Sequence, residues 1–163
     1  MPRRGKGISD ASRSLVGFLV GGIRYAVPIK HVREITNPMV VTLLPNAPPV
    51  VVGVADHRGQ VVTIVDLRVH FGMPRPTEAN REKWILLQMD AEPVGLVVDS
   101  VTEVFGTGGQ AMREPPQISR VEQQGLLGVL SHEGRLVFVI DVERFVQLGN
   151  NVRHDALPEA GRA

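Results

Sequence analysis

The sequence predicts an all-β protein made of two related small barrels, and two observations carry that prediction. The first is composition. Valine supplies 26 residues against 14 leucines and 8 isoleucines, and 17 glycines and 12 prolines cut the chain into short lengths. β-Branched side chains suit a pleated, half-buried surface, and glycine and proline supply the tight turns between short strands. The second is an internal repeat. At an offset of 75 residues, GVADHRGQVVTIVDLRVHFG (53–72) matches GVLSHEGRLVFVIDVERFVQ (128–147), pairing Gly53 with Gly128, Val54 with Val129, His57 with His132, Gly59 with Gly134, Val62 with Val137 and Asp66 with Asp141. At an offset of 69, AVPIKHVREI (26–35) overlies GLVVDSVTEV (95–104), so Val32 and Glu34 meet Val101 and Glu103. Two matches in the same order, with an indel between them, indicate a duplicated unit.

The elements follow in chain order. Leu15–Val20 and Ile23–Ile29 flank Gly21-Gly22, whose freedom at positive φ suits a hairpin turn. Val32 and Ile35 stand three apart within Lys30–Ile35, the spacing of one helical turn, and Asn37-Pro38 ends that segment. Val40–Leu44 is apolar, and a proline-rich bend at 45–49 leads into a second hairpin, Val50–Ala55 and Gln60–Val65, turning at Asp56-His57-Arg58-Gly59. Asp66 precedes LRVHFG and is placed to cap a short helix ending near Gly72. A polar linker, Met73–Lys83, separates this half from strands at Trp84–Met89 and Pro93–Asp99, and the repeat predicts a further hairpin and a short terminal helix after them. The expected organisation is a flexible tail at 1–13, a folded domain at 14–149 divided near 83/84 with crossing strands allowed for, and a second flexible tail at 150–163.

Composition removes several classes of function. With 18 basic and 17 acidic residues the net charge is +1, which gives no broad positive field for a phosphate backbone, and seven aromatic residues are too few for a row of base-stacking platforms. Nucleic acid is not expected as a partner. No apolar run approaches the roughly 18 residues of a membrane span, and the basic start lacks the apolar stretch of a secretory signal, so the expected location is the cytoplasm without direct membrane insertion. The absence of cysteine excludes disulfides, thiolate metal sites and a cysteine nucleophile.

The remaining candidates for chemistry are weak. Asp66, Asp99 and Asp141 with His31, His57 and His70 offer the acid and base types of a hydrolase, but Asp66 and Asp141 stand at equivalent helix starts, where capping accounts for them. His57 and His132 fall at equivalent hairpin turns, the usual place for a solvated polar side chain. Asp56, His57 and His70 lack the short ligand spacing of a metal site. Gly106, Gly108 and Gly109 lack the following GK[ST] of a phosphate loop, and 107–117 is expected as a flexible loop. No catalytic residue, metal or cofactor is assigned. What stands out is an acid, Glu34, and a base, Arg58, flanked by apolar Val32, Ile35 and Val54.

Tyr25-Ala-Val-Pro-Ile29, Val32-Arg-Glu-Ile35, Val41-Thr-Leu-Leu-Pro45, Gly53-Val54, Arg58-Gly59 and Ile64-Val-Asp-Leu-Arg68 together resemble the CheW-like domain family. Residues 95–104, Gly128-Val129 and Ile140-Asp141 continue the resemblance in order, over about Leu15–Leu148. The resemblance implies two SH3-like five-stranded barrels around a shared hydrophobic seam. It also implies a non-enzymatic adaptor in bacterial signalling, coupling the cytoplasmic tip of chemoreceptors to the regulatory domain of a CheA-type histidine kinase. Matching positions assign Val32, Glu34 and Arg58 to the receptor, with Ile29, Ile35 and Val98 added as an apolar floor for a helix laid in a groove. They assign Val41 and Gly53 to the kinase, with Thr42 and Leu43 beside them, the glycine permitting close approach of the partner. The sequence departs from the family pattern at Asp56, Thr63 and 112–124. Asp56 sets a negative charge beside Arg58 and is expected to draw its guanidinium away from Glu34. The alternative these departures raise is a receptor-binding adaptor that does not engage the kinase.

Overall fold

The computed structural model describes residues 14–74, 81–90, 92–115 and 125–156, with side chains as far as Arg153. Ten strands are present: β1 (Ser14–Val20), β2 (Ile23–Pro28), β3 (Val32–Thr36), β4 (Val51–His57), β5 (Gln60–Asp66), β6 (Lys83–Leu87), β7 (Val94–Val98), β8 (Ser100–Gly106), β9 (Leu126–His132) and β10 (Arg135–Ile140). A 3-10 turn, Ile29–His31, precedes β3, and two helices, α1 (Leu67–His70) and α2 (Val142–Ala156), follow β5 and β10. The strands form two sheets of five, ordered β8-β1-β2-β10-β9 and β3-β6-β7-β5-β4.

Both repeat offsets are realised. β4 and β5 begin 75 residues ahead of β9 and β10, and β1 begins 69 ahead of β6. The sheets do not follow the repeat, however: β1 and β2 join β8–β10, while β6 and β7 join β3–β5. Each sheet is thus the opening hairpin of one repeat added to the last three strands of the other, joined by a parallel pair, β2 with β10 or β5 with β7. The division near 83/84 separates the repeats and not the sheets. Burial explains the exchange. β6 (KWILL) and β7 (VGLVV) are almost wholly buried on both faces, so a hairpin of this kind must lie centrally, between two apolar layers.

Strand alternation sorts the apolar residues into three cores. Ile85 and Leu87 of β6, Val94, Leu96 and Val98 of β7, Val16, Phe18 and Val20 of β1, and Tyr25 and Val27 of β2 face one another in a seam between the sheets. Trp84, Leu86, Ile64 and Val62 fill the interior of the second sheet. Leu15, Ala26, Leu130, Val137 and Val139 fill that of the first. Tyr25 stacks on Phe71 at 4.8 Å, fixing the residue after α1 against the opposite sheet.

Arg68 is the largest fully buried side chain, 2% exposed. It donates to both carboxylate oxygens of Asp66, at 3.0 and 3.2 Å, and to Glu82 at 3.1 Å, and lies 3.5 Å from Asp99. Asp99 in turn accepts the backbone N–H of Gly21 in the β1–β2 turn, so the cluster ties the two sheets together. Burial alone would lower the pKa of Arg68. Its bonds to Asp66 and Glu82 outweigh that effect and hold the pKa above its ordinary value. Asp66 also accepts the N–H of Arg68, the expected helix cap.

Two expectations need correction. Lys30–Ile35 is not one helical turn: only 29–31 is 3-10, and Val32–Thr36 is a strand with a register shift between Val32 and Glu34. The extra residue of this bulge puts Val32, opposite Leu87, and Ile35, opposite Ile85, on the same face three positions apart, the spacing a helix would also give. The second repeat ends in a 15-residue helix where a short one was expected, and this helix runs into the span assigned to the C-terminal tail. Asn150 holds it there, donating to the carbonyls of Val146 and Glu92 and accepting from the N–H of Glu92, while Arg153 pairs with Glu92 at 3.5 Å. Val40–Leu44 is tied to β4 by a bridge between Thr42 and Val54. The expectations for 1–13, 157–163 and 116–124 lie outside the described residues.

Candidate functional site

Glu34 lies on β3 and Arg58 at the tip of the β4–β5 hairpin. Arg58 and Gly59 have φ of 55° and 83°, the signature of a two-residue I′ turn. The Arg58 guanidinium donates to Glu34 at 3.1 Å, as the sequence pairing anticipated. Asp56 does not draw it away, because its carboxylate accepts the N–H of Gly59 inside the turn.

The stronger partner of Glu34 is one the sequence reading missed. His57, only 8% exposed, bonds to the other carboxylate oxygen at 3.0 Å. It is not the solvated turn residue expected from its position. β3 and β4 are the two edges of their sheet, so the Glu34–His57 bond closes that sheet on itself as a barrel. The second copy repeats the device: Glu103 on β8 and His132 on β9, again the two edges, meet at 3.0 Å. The signal was present in the sequence, since both repeats carry Glu and His at corresponding places. The hydrogen bond with His57 is the chief reason the Glu34 carboxyl titrates below its ordinary range. Desolvation opposes the shift, and the charges of Arg58, His57 and Arg33 add to it.

Around this pair, the structure keeps some assigned residues at the surface and withdraws others. Ile29 and Ile35 are exposed, and Val32 is half-buried beside the seam. Val98 is wholly buried in the seam and presents nothing to a partner, which removes it from the apolar floor. The reason is its place on β7, a strand covered on both faces, with Val98 on the face that packs in the seam.

The second assigned surface also changes. Gly53 is buried, and a Cβ there would stand 2.3 Å from the carbonyl oxygen of Thr42 and 2.7 Å from Val41. The close approach that this glycine permits is therefore by the chain's own segment, not by a partner. Thr42 and Val54 exchange backbone hydrogen bonds of 2.7 and 2.9 Å, and Val41 packs on the barrel core. What faces outward from this covering segment is Thr42, Leu43 (75% exposed) and Val40 (89% exposed), the last not anticipated.

Four of the six hydrolase candidates are otherwise employed. Asp66 and Asp99 serve Arg68, His57 serves Glu34, and His70 packs edge-on against Phe71 and Phe145. Asp56, His57 and His70 do not converge on a metal position. Among the described residues, no helix is long and apolar enough to cross a membrane.

Two five-stranded sheets sharing one hydrophobic seam, each bridged edge to edge by a Glu–His bond, define a protein of paired SH3-like barrels. The CheW-like domain family model matches residues 14–150, and the chain belongs to that family. Among its relatives, the chemotaxis protein CheW of Rhizobium meliloti is 33% identical, the match covering 88% of this chain and 93% of that protein. Protein FrzA of Myxococcus xanthus is 27% identical, with coverage of 72% and 73%. The crystal structure of the scaffolding protein TtCheW from Thermoanaerobacter tengcongensis superposes with a TM-score of 0.72 at 22% identity, covering 79% of this chain and 84% of that one, a likeness of fold.

Proposed function

We propose that this chain is a non-enzymatic cytoplasmic adaptor that holds chemoreceptor tips and a CheA-type histidine kinase in a fixed relation. The observation that carries this reading is the family match over 14–150, joined to two outward surfaces on one barrel. Val32 and Ile35 lie on the seam side of the bulged edge strand, with Glu34 and Arg58 beside them, and Ile29 precedes that strand. This face suits the receptor's helical hairpin. Val40, Thr42 and Leu43 ride on a segment anchored to β4 through Val54, and this face suits the barrel of the kinase regulatory domain. Each partner meets a surface whose geometry is fixed by the same core, so motion of the receptor reaches the kinase through a rigid body.

The deciding experiment is calorimetric titration of the chain with each partner domain, repeated with Arg58→Glu and Leu43→Asp. Arg58→Glu should weaken receptor binding alone, and Leu43→Asp should weaken kinase binding alone. Failure of the folded native chain to bind the kinase domain, with receptor binding intact, would establish instead an adaptor for receptors only.

A further inference from the structure

The two repeats build the same hairpin tip with opposite charge. Arg58 (φ 55°) and Glu133 (φ 53°) occupy equivalent positions in equivalent turns, 75 residues apart. In the first barrel, the guanidinium at this position sits 3.1 Å from Glu34 and supplies the cation of a Glu–His–Arg group. In the second, Glu103, His132 and Glu133 converge with no such cation: His132 Nε2 stands 3.0 Å from Glu103 and 3.8 Å from Glu133. One ligand atom from each lies within 4.8 Å of the others. Arg135, opposite His132 in the strand register, forms no ion pair with either carboxylate among the described residues.

We propose that Glu103, His132 and Glu133 form a binding site for a divalent transition-metal ion of the zinc class, the ion standing where the first barrel places its arginine. The imidazole selects this occupant, because a neutral nitrogen donor between two carboxylates suits zinc better than calcium, magnesium or an organic cation. The spacing agrees. Ligands at zinc–nitrogen and zinc–oxygen distances of about 2.1 Å around a tetrahedral ion stand roughly 3.4 Å apart, between the two separations from His132, and the two carboxylates lie within 4.8 Å of each other. Phe105 stacks on the His132 ring at 3.9 Å and fixes its plane, a feature the first barrel lacks, where Thr36 is the repeat equivalent. The ion takes the place of the hydrogen bond between His132 Nε2 and Glu103, the imidazole then carrying its proton on Nδ1, and water completes the coordination.

The test is calorimetric titration of the untagged, metal-free full chain with Zn²⁺ alone. One equivalent should bind. His132→Ala should lose that binding, and Glu133→Arg, which installs the first barrel's residue at an exposed tip and leaves the fold intact, should weaken it by roughly tenfold or more. His57→Ala, in the other barrel, should keep it. Circular dichroism establishes that each variant is folded, and the His132 imidazole resonances should shift on titration. The proposal is overturned by no binding to the native chain, or by binding unchanged in either His132→Ala or Glu133→Arg, which would place the metal on other side chains.

Discussion

Glu34 and His57 join the first and last strands of one sheet through a 3.0 Å bond, and in doing so turn a five-stranded sheet into a closed barrel. The same carboxylate carries the 3.1 Å contact to Arg58, so one side chain serves both the closure of the fold and the face assigned to the receptor. Arg58 is 72% exposed, whereas His57 is buried. Structure and recognition can therefore be separated by mutation.

His57→Ala should destabilise the chain by about 1.5–3 kcal/mol, since it removes a partly buried hydrogen bond to a charged acceptor. Arg58→Ala should change stability by less than about 1 kcal/mol, the usual range for an exposed ion pair. Urea denaturation of the two variants checks both. Equal losses would show that His57 does not close the barrel.

The depressed pKa of Glu34 predicts how its contribution responds to pH. A carboxylate whose folded pKa lies below its unfolded value stabilises the fold above the unfolded value, here 4.5, and loses that contribution as pH falls from there through the folded pKa. The stability difference between the native chain and Glu34→Gln should accordingly be constant above that range and shrink below it. Chemical denaturation at a series of pH values measures the difference, and a gap that widens on acidification would reverse the assignment.

Arg68→Ala should cost about 3–5 kcal/mol, because it removes the guanidinium that pairs with the buried carboxylate of Asp66. Glu82 and Asp99 lose a partner in the same step, and Asp99 holds the β1–β2 turn. Hydrogen exchange should therefore quicken at the amide of Gly21 as well as around α1. Faster exchange confined to α1 would show that the cluster does not join the sheets.

Gly53→Ala should be more disruptive than Gly128→Ala at the matching position of the other barrel. A Cβ at 53 meets backbone at 2.3 Å, against 2.9 Å from the carbonyl of Arg113 at 128. Thermal denaturation should rank native, Gly128→Ala and Gly53→Ala in order of falling stability. For the same reason a substitution at Gly53 is a poor probe of kinase contact, and Leu43→Asp is the cleaner one.

The sequence by itself did not determine the edge strands β3 and β8, but it did determine four hairpins (β1–β2, β4–β5, β6–β7 and β9–β10), the cap at Asp66 and the repeat. These depend on local causes: alternation of apolar residues, glycine where φ is positive, and an acceptor before a helix. It also brought Glu34 and Arg58 forward as a pair. Only the tertiary structure decided which sheet each hairpin enters, that Val32 and Ile35 share the face of a bulge and not of a helix, that Val98 is core, and that Gly53 is covered by Val41 and Thr42. Those outcomes depend on burying two-faced hairpins between distant segments, and a three-residue apolar spacing or a glycine in a strand reads the same whichever neighbour arrives to cover it.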